Sequence, residues 1–243
     1  MAGRIRSNDP EGVRRRILDA AFEAFQGHGY HATSMHDLLR LAGLSGGALH
    51  HHFPTKKALA LAVLRERVAE AVAKTWIEPV RAAASARAGV AEVLAAIGSE
   101  LDRRGAVRGC PLNNMASELA LADPDFRAAA ADLFAGWRDA IAAKLREDNA
   151  PGDPQPLARV VIAAYSGAMA QAKAEQDSQA LTACAKALAQ LLPSPRHDST
   201  MIEAVPAPGQ IRRRAPISRD LNEGAQTELA LDVPASRLTI EQP

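Results

Sequence analysis

Between Glu11 and His28 the apolar residues Val13, Ile17, Leu18, Ala21, Phe22 and Phe25 recur at spacings of three and four, the period of a helix that buries one face. Gly29 follows at once, where a C-terminal glycine is expected. Two shorter helices come next. Thr33 or Ser34 caps the first of them, and Ser34 with Asp37 three residues on has the spacing of a capping box. Met35, Leu38, Leu39 and Ala42 form its inward face, and Gly43 ends it. Gly43-Leu44-Ser45 reads as a tight turn, and the second short helix runs from Ser45 to His52. Phe53-Pro54 breaks the pattern, Thr55 caps a further helix, and that helix continues to about Trp76. Leu38, Leu41, Leu44, Leu49 and Phe53 are expected in the core. Three helices in so short a stretch, the last two joined by a glycine-containing turn, have helix-turn-helix geometry.

Beyond Pro79 the helical period persists over about 81–104, 112–121, 124–147, 156–175 and 178–192, with Gly105, Gly109-Cys110-Pro111, Asp123-Pro124 and a Pro/Gly/Asp cluster as punctuation. Alanine and leucine are abundant and aromatics make up only 4% of the chain, which favours helices over strands. The expected fold class is all-α: an N-terminal three-helix unit followed by a helical bundle. Residues 1–10 read as a flexible arm, 11–71 as the helix-turn-helix domain and 72–192 as the bundle. Residues 193–243, rich in proline with an isolated Arg212-Arg213-Arg214, read as a disordered tail. No apolar run is long enough for a membrane span, and the first residues lack the apolar stretch of a secretory signal. Two cysteines do not make a disulfide framework. A cytoplasmic protein is expected, with no membrane contact.

The formal net charge is only +1, but residues 1–57 hold eight Lys/Arg against five Asp/Glu, and six of the seven histidines precede Phe53. That distribution is compatible with a nucleic-acid partner. The segment from Gly29 to Leu64 closely resembles the DNA-binding region of the TetR/AcrR family of one-component repressors. The shared pattern is carried by Gly29-Tyr30, Thr33-Ser34, Asp37-Leu38, Gly43-Leu44-Ser45, Gly47, His50-His51-His52-Phe53 and Lys56-Lys57-Ala58-Leu59. The resemblance implies a ligand-responsive regulator, released from a palindromic operator by a small molecule.

The residues suit DNA on physical grounds as well. In a helix-turn-helix the second helix enters the major groove with its N-terminal residues towards base edges. Ser45 at that N-terminus can donate to a phosphate, and Gly46 and Gly47 let the backbone approach closely. His50 and His51 project from the following turn. Lys56 offers a point charge to phosphate, and Thr33 and Ser34 offer hydroxyls, contacts that fix register without reading sequence. Two departures from the family pattern stand out: His50 replaces the usual tyrosine, and Gly46 replaces the common lysine or arginine, so the operator sequence does not carry over. A degenerate head on a dimeric binding module is the corresponding alternative.

Gly109-Cys110-Pro111-Leu112 and the helices after it are similar to a subgroup of the same family in which this region encloses an apolar cavity. Asn113, Asn114, Met115, Trp137, Tyr165 and Met169 are the candidate lining, apolar bulk with a few polar groups. Met115, Trp137 and Met169 suit plain core positions equally well. The last two helices are the expected homodimer interface, through Val160, Ala164, Gly167, Ala168, Gln171, Leu181 and Leu188. Cys110, with Arg103, Arg104 and Arg108 nearby, suggests a thiol redox sensor as a second alternative. His50, His51 and His52 are adjacent and point about 100° apart, so they do not make a metal site. No phosphate loop, nucleophile elbow or zinc signature is present. No enzyme, cofactor or metal is expected.

Overall fold

The computed structural model describes residues 9–194. Asp9 opens α1 (Pro10–His28), its carboxylate accepting the Gly12 N–H and Pro10 standing where a missing donor costs nothing. Gly29 ends the helix at φ +86°. Ser34 caps α2 (Met35–Ala42) with both bonds of the capping box in place. Gly43, in the left-handed region, turns the chain into α3 (Gly46–His52). Thr55 then caps a rod, α4, that continues without a break through Lys56–Ala62, Val63–Val68, Ala69–Val72, Ala73–Ile77 and Glu78–Ala82.

The rod overruns its expected end near Trp76 and passes through Pro79 to Ala82. Two of its segments, Val63–Val68 and Ala73–Ile77, are wound as π-helix, and the second carries a Glu78 N–H to Ala73 carbonyl bond. A proline inside an α-helix removes one donor and crowds the carbonyl four residues back. A π turn immediately before it widens that spacing, so Pro79 is absorbed instead of ending the helix. The break comes at Ala83–Ser85, where the buried Ser85 caps the next helix through the Ala88 N–H.

The remaining helices are α5 (Ala86–Arg104), α6 (Pro111–Leu119), α7 (Pro124–Glu147), α8 (Pro154–Glu175) and α9 (Gln179–Leu191). Among the described residues the structure is all helix and connection. α5 packs on α9, and α8 lies between α7 and α9. One continuous core runs from Ile17, Leu38 and Leu49 in the first three helices to Trp76, Trp137 and Leu145 in the bundle. Leu38, Leu49 and Phe53 are buried as expected and Leu44 packs partly against the core. Leu41 does not join it and is 54% exposed. α2 is only eight residues long, and in its last turn Leu39 packs against the core while Leu41 points away from it. Residues 1–8 of the expected arm and residues 195–243 of the expected tail lie outside the described residues. No helix among the described residues is long and apolar enough to cross a membrane.

Candidate functional site

α3 presents a bare N-terminus. Ser45 is its N-cap residue but makes no side-chain cap bond, so its hydroxyl is uncommitted. A Cβ placed on Gly47 meets nothing within 4 Å, and one on Gly46 would only touch Leu39 at 3.9 Å. His50 and His51 are exposed and His52 is half-buried, with the His51 and His52 rings edge to face at 5.3 Å. Ser34 is exposed at the start of α2, its oxygen accepting the Asp37 N–H at 3.1 Å. Ser34, Ser45, Gly46, Gly47, His50 and His51 are all solvent-facing on α2 and α3.

Two of the expected DNA contacts, Thr33 and Lys56, also make contacts within the chain. Thr33 is buried, and its hydroxyl donates to the Gly29 carbonyl at 2.7 Å. It bolts the α1–α2 turn from inside, and a group so placed does not reach a phosphate. Lys56 is half-buried, its Nζ 4.2 Å above the Tyr30 ring, a cation–π placement. Burial pushes the Lys56 ammonium down from its ordinary value, and the Glu118 carboxylate opposes that shift. Neighbouring Lys57 instead bridges Asp123 and Asp125 of α7 at 2.7 Å each.

The first three helices are tied to the bundle by polar contacts that span long sequence separations. Arg14 holds Glu66 of α4 at 2.7 Å and sits over Phe53. Gln26 donates to the Gly109 carbonyl at 2.8 Å, and Arg108 reaches Glu23 at 3.0 Å. Glu118 accepts the backbone N–H groups of Tyr30 and His31 at 2.9 and 2.6 Å.

Behind these ties lies a cavity of about 950 Å³, at the upper end of the range for small-molecule sites. Trp76, Trp137, Tyr165 and Met169 line it, with Cys110 at the foot of α6 and Val93 and Ile97 on α5. The three large rings touch one another at centroid distances of 4.8 to 5.5 Å. Burial drives the Tyr165 hydroxyl well above its usual range, with Cys110 beside it. The Trp137 indole N–H is buried without an acceptor, an omission that typically costs about 1–3 kcal/mol. Polar groups enter from α1 (Glu23 and Gln26), α4 (Lys74 and Thr75) and α5 (Glu92, Glu100 and Arg104). Sequence reasoning placed none of these at a cavity and met Arg104 only as a neighbour of Cys110, although Glu92, Ala96, Glu100 and Arg104 stand four apart along one face of α5 and could have been found that way.

Of the expected lining, Trp137, Tyr165 and Met169 face the cavity. The other three are committed elsewhere. The Asn113 amide oxygen accepts the Ser166 hydroxyl at 3.3 Å, and Met115 is buried in the core. Asn114 joins Gln26, the Arg108 carbonyl and Lys173. Cys110 does not fit the redox reading. It is buried, and desolvation pushes its thiol up rather than down. The arginines meant to activate it are engaged, Arg103 and Arg104 with Glu100 and Arg108 with Glu23. On α8 and α9, Val160, Gly167 and Gln171 are exposed and Ala164 half-buried. Ala168, Leu181 and Leu188 turn inward and are at most 6% exposed within the single chain. The outward face of α9 is carried by Ala183, Ala187 and Leu191 instead.

The model described as "Bacterial regulatory proteins, tetR family" matches residues 17–63. A second, "Transcriptional regulator LmrA/YxaF-like, C-terminal domain", matches residues 86–187. The chain belongs to the TetR family. It is therefore a ligand-responsive, DNA-binding transcriptional regulator. It is similar to the HTH-type regulator YxaF of Bacillus subtilis (strain 168), 28% identical over 143 residues, which are 56% of this chain and 71% of the relative. A regulator in the lacX 3' region of Lactococcus lactis subsp. lactis is 29% identical over 176 residues, 70% of this chain and 87% of that one. Among solved structures, reduced NemR of E. coli superposes with a TM-score of 0.70 at 19% identity, covering 77% of this chain and all of the other. Regulatory protein TetR of Rhodobacter sphaeroides does so with a TM-score of 0.66 at 23% identity, covering 73% and 97%. At these identities the superpositions speak for the shared fold.

Proposed function

We propose that this TetR-family protein is a cytoplasmic homodimeric repressor that leaves a palindromic operator when a small molecule fills the cavity behind α1. Residues 11–71 form the DNA-binding head and 72–192 the ligand-binding and dimerisation body. Ser34, Ser45, Gly46, Gly47, His50, His51 and Lys56 form the DNA face. Trp137, Tyr165 and Met169, joined by Trp76 and Cys110, form the effector site. The outward faces of α8 and α9, through Val160, Ala164, Gly167, Gln171, Ala183, Ala187 and Leu191, meet their two-fold copies. A two-fold dimer sets its recognition helices roughly 34–36 Å apart, one turn of DNA. The role is regulatory and not catalytic.

The observation that carries the reading is the make-up of the cavity wall. Phe22, Glu23 and Gln26 belong to α1, the first helix of the head, yet they line the same space as Trp137 and Tyr165 of the body. An occupant of that space touches both parts at once, and a ligand shifts an equilibrium only by what it contacts differently in the two states. α6 supports the same link: it starts at the cavity with Cys110 and Pro111 and ends beside the α1–α2 turn with Glu118.

The test is operator binding. A duplex selected from random DNA by the purified dimer should be palindromic and should resist competitor. His51→Ala and Lys56→Ala should both weaken binding, and Lys56→Ala should lower the salt slope by about one. Failure of the dimer to select any duplex overturns the reading.

A further inference from the structure

Glu118 lies in the last full turn of α6, in the body, yet its carboxylate is bonded to the head. Its two oxygens accept the Tyr30 and His31 backbone N–H groups at 2.9 and 2.6 Å. Both amides sit in the turn between α1 and α2, where neither bonds a backbone carbonyl and the carboxylate supplies the acceptors. The approach depends on Gly29. At φ +86° this position favours glycine, and a Cβ there would lie 3.2 Å from a Glu118 carboxylate oxygen. Once held, Tyr30 packs its ring against Phe126 of α7 at 5.8 Å and under the Lys56 ammonium at 4.2 Å. Glu118 also favours the charged form of Lys56 against the cost of burial. One carboxylate of the body thus fixes the turn, the ring on the turn, and the lysine above the ring. Ser34, four residues past Tyr30, starts α2 from the same turn.

We propose that Glu118 is a positioning residue for operator binding: it docks the α1–α2 turn on the body through two backbone amides, so that Lys56 and the start of α2 meet the phosphate backbone in one fixed attitude. The inference rests on the DNA-binding role proposed above. It differs from that role in naming a residue that touches no DNA.

In a Glu118→Ala dimer, hydrogen exchange at the Tyr30 and His31 amides should quicken by about tenfold or more. The far-UV spectrum and Tm should stay close to wild type. Affinity for the duplex selected by the wild-type dimer should fall about tenfold, the cost of restricting a head that now samples other attitudes. The slope of log affinity against log salt should not change, because no phosphate contact is removed. Glu118→Gln keeps one acceptor and should fall between. Gly29→Ala should cause a similar loss by pushing the carboxylate away, and the double variant should lose no more than the worse single. Unchanged exchange at the two amides, unchanged operator affinity, or losses that simply add would each overturn the role of Glu118. A wild-type dimer that selects no duplex would instead overturn the operator-binding reading on which it rests.

Discussion

Replacing Thr33 by valine separates a bolt from a DNA contact at a position where the two roles were easily confused. Thr33 is 3% exposed, and its hydroxyl makes one short bond, to the Gly29 carbonyl at 2.7 Å. A second carbonyl, that of Ala24, lies at the 3.5 Å limit and adds little. Valine keeps the shape and removes the donor. The direct loss is about 1 kcal/mol, and leaving the Gly29 oxygen facing a methyl group raises the total to about 1–3 kcal/mol. For a cooperative unit of about 150–250 residues each kcal/mol moves Tm by about 2–4 °C, so a mid-range loss lowers Tm by about 4–8 °C. Thr33→Ser keeps the hydroxyl and should lose less than valine does. Differential scanning calorimetry gives Tm, and fluorescence anisotropy on the selected duplex at 15 °C, well below either melt, gives affinity. Affinity should stay within about twofold, since a group this deep makes no phosphate contact. An unchanged Tm together with a clear loss of affinity in the valine variant would refute the bolt and return Thr33 to the DNA face.

Other perturbations probe other parts of the molecule. Arg14 holds the Glu66 carboxyl below its ordinary value, chiefly through their hydrogen bond. A depressed carboxylate stabilises the fold above its unfolded pKa and loses that contribution as pH falls through the folded one. Glu66→Gln should therefore cost about 0.5–1 kcal/mol at pH 7, discounted for partial exposure, and the gap should narrow in urea titrations below about pH 4; a gap that widens on acidification contradicts the pairing. Gly167→Leu on the outward face of α8 should shift the dimer towards monomer in light scattering. Leu188→Ala should cost about 2–4 kcal/mol of stability as a buried residue, with no selective effect on assembly; the reverse pattern would move the interface. Cys110, buried with its thiol pushed up, should resist N-ethylmaleimide until the protein unfolds; prompt native labelling, mapped by mass spectrometry, would revive the redox reading.

The head was legible in the sequence because its signals are local. A capping box needs only Ser34 and Asp37, and a helix end needs only Gly29 or Gly43. Pro79 misled because a proline announces a break, while the π turn that absorbs it leaves no mark of its own in residue types. Leu41 matched the helical period, but α2 stops one residue later and Leu41 points away from the core. Thr33 and Ser34 were interchangeable as caps on paper. Once Ser34 takes the cap, Thr33 faces the end of α1. Asn113 and Asn114 suited a pocket by chemistry, yet their partners Ser166 and Gln26 lie far away in sequence, where no local pattern reports them. Leu181 and Leu188 repeat on one face of α9, and that face turned out to be the inner one. Periodicity identifies a buried stripe without saying whether a partner helix in the same chain or in a second copy buries it.

The chain has two tryptophans in all, and both form the cavity floor, 5.0 Å apart and tilted by 54°, with Tyr165 against each of them. Every indole chromophore in the molecule is thus concentrated at one spot, close enough for the rings to share excitation. Its tryptophan emission, excited beyond the tyrosine band, describes that spot alone. A library of compounds can be screened against the unlabelled protein by light, and a change in signal will come from the floor of the cavity and not from a remote surface.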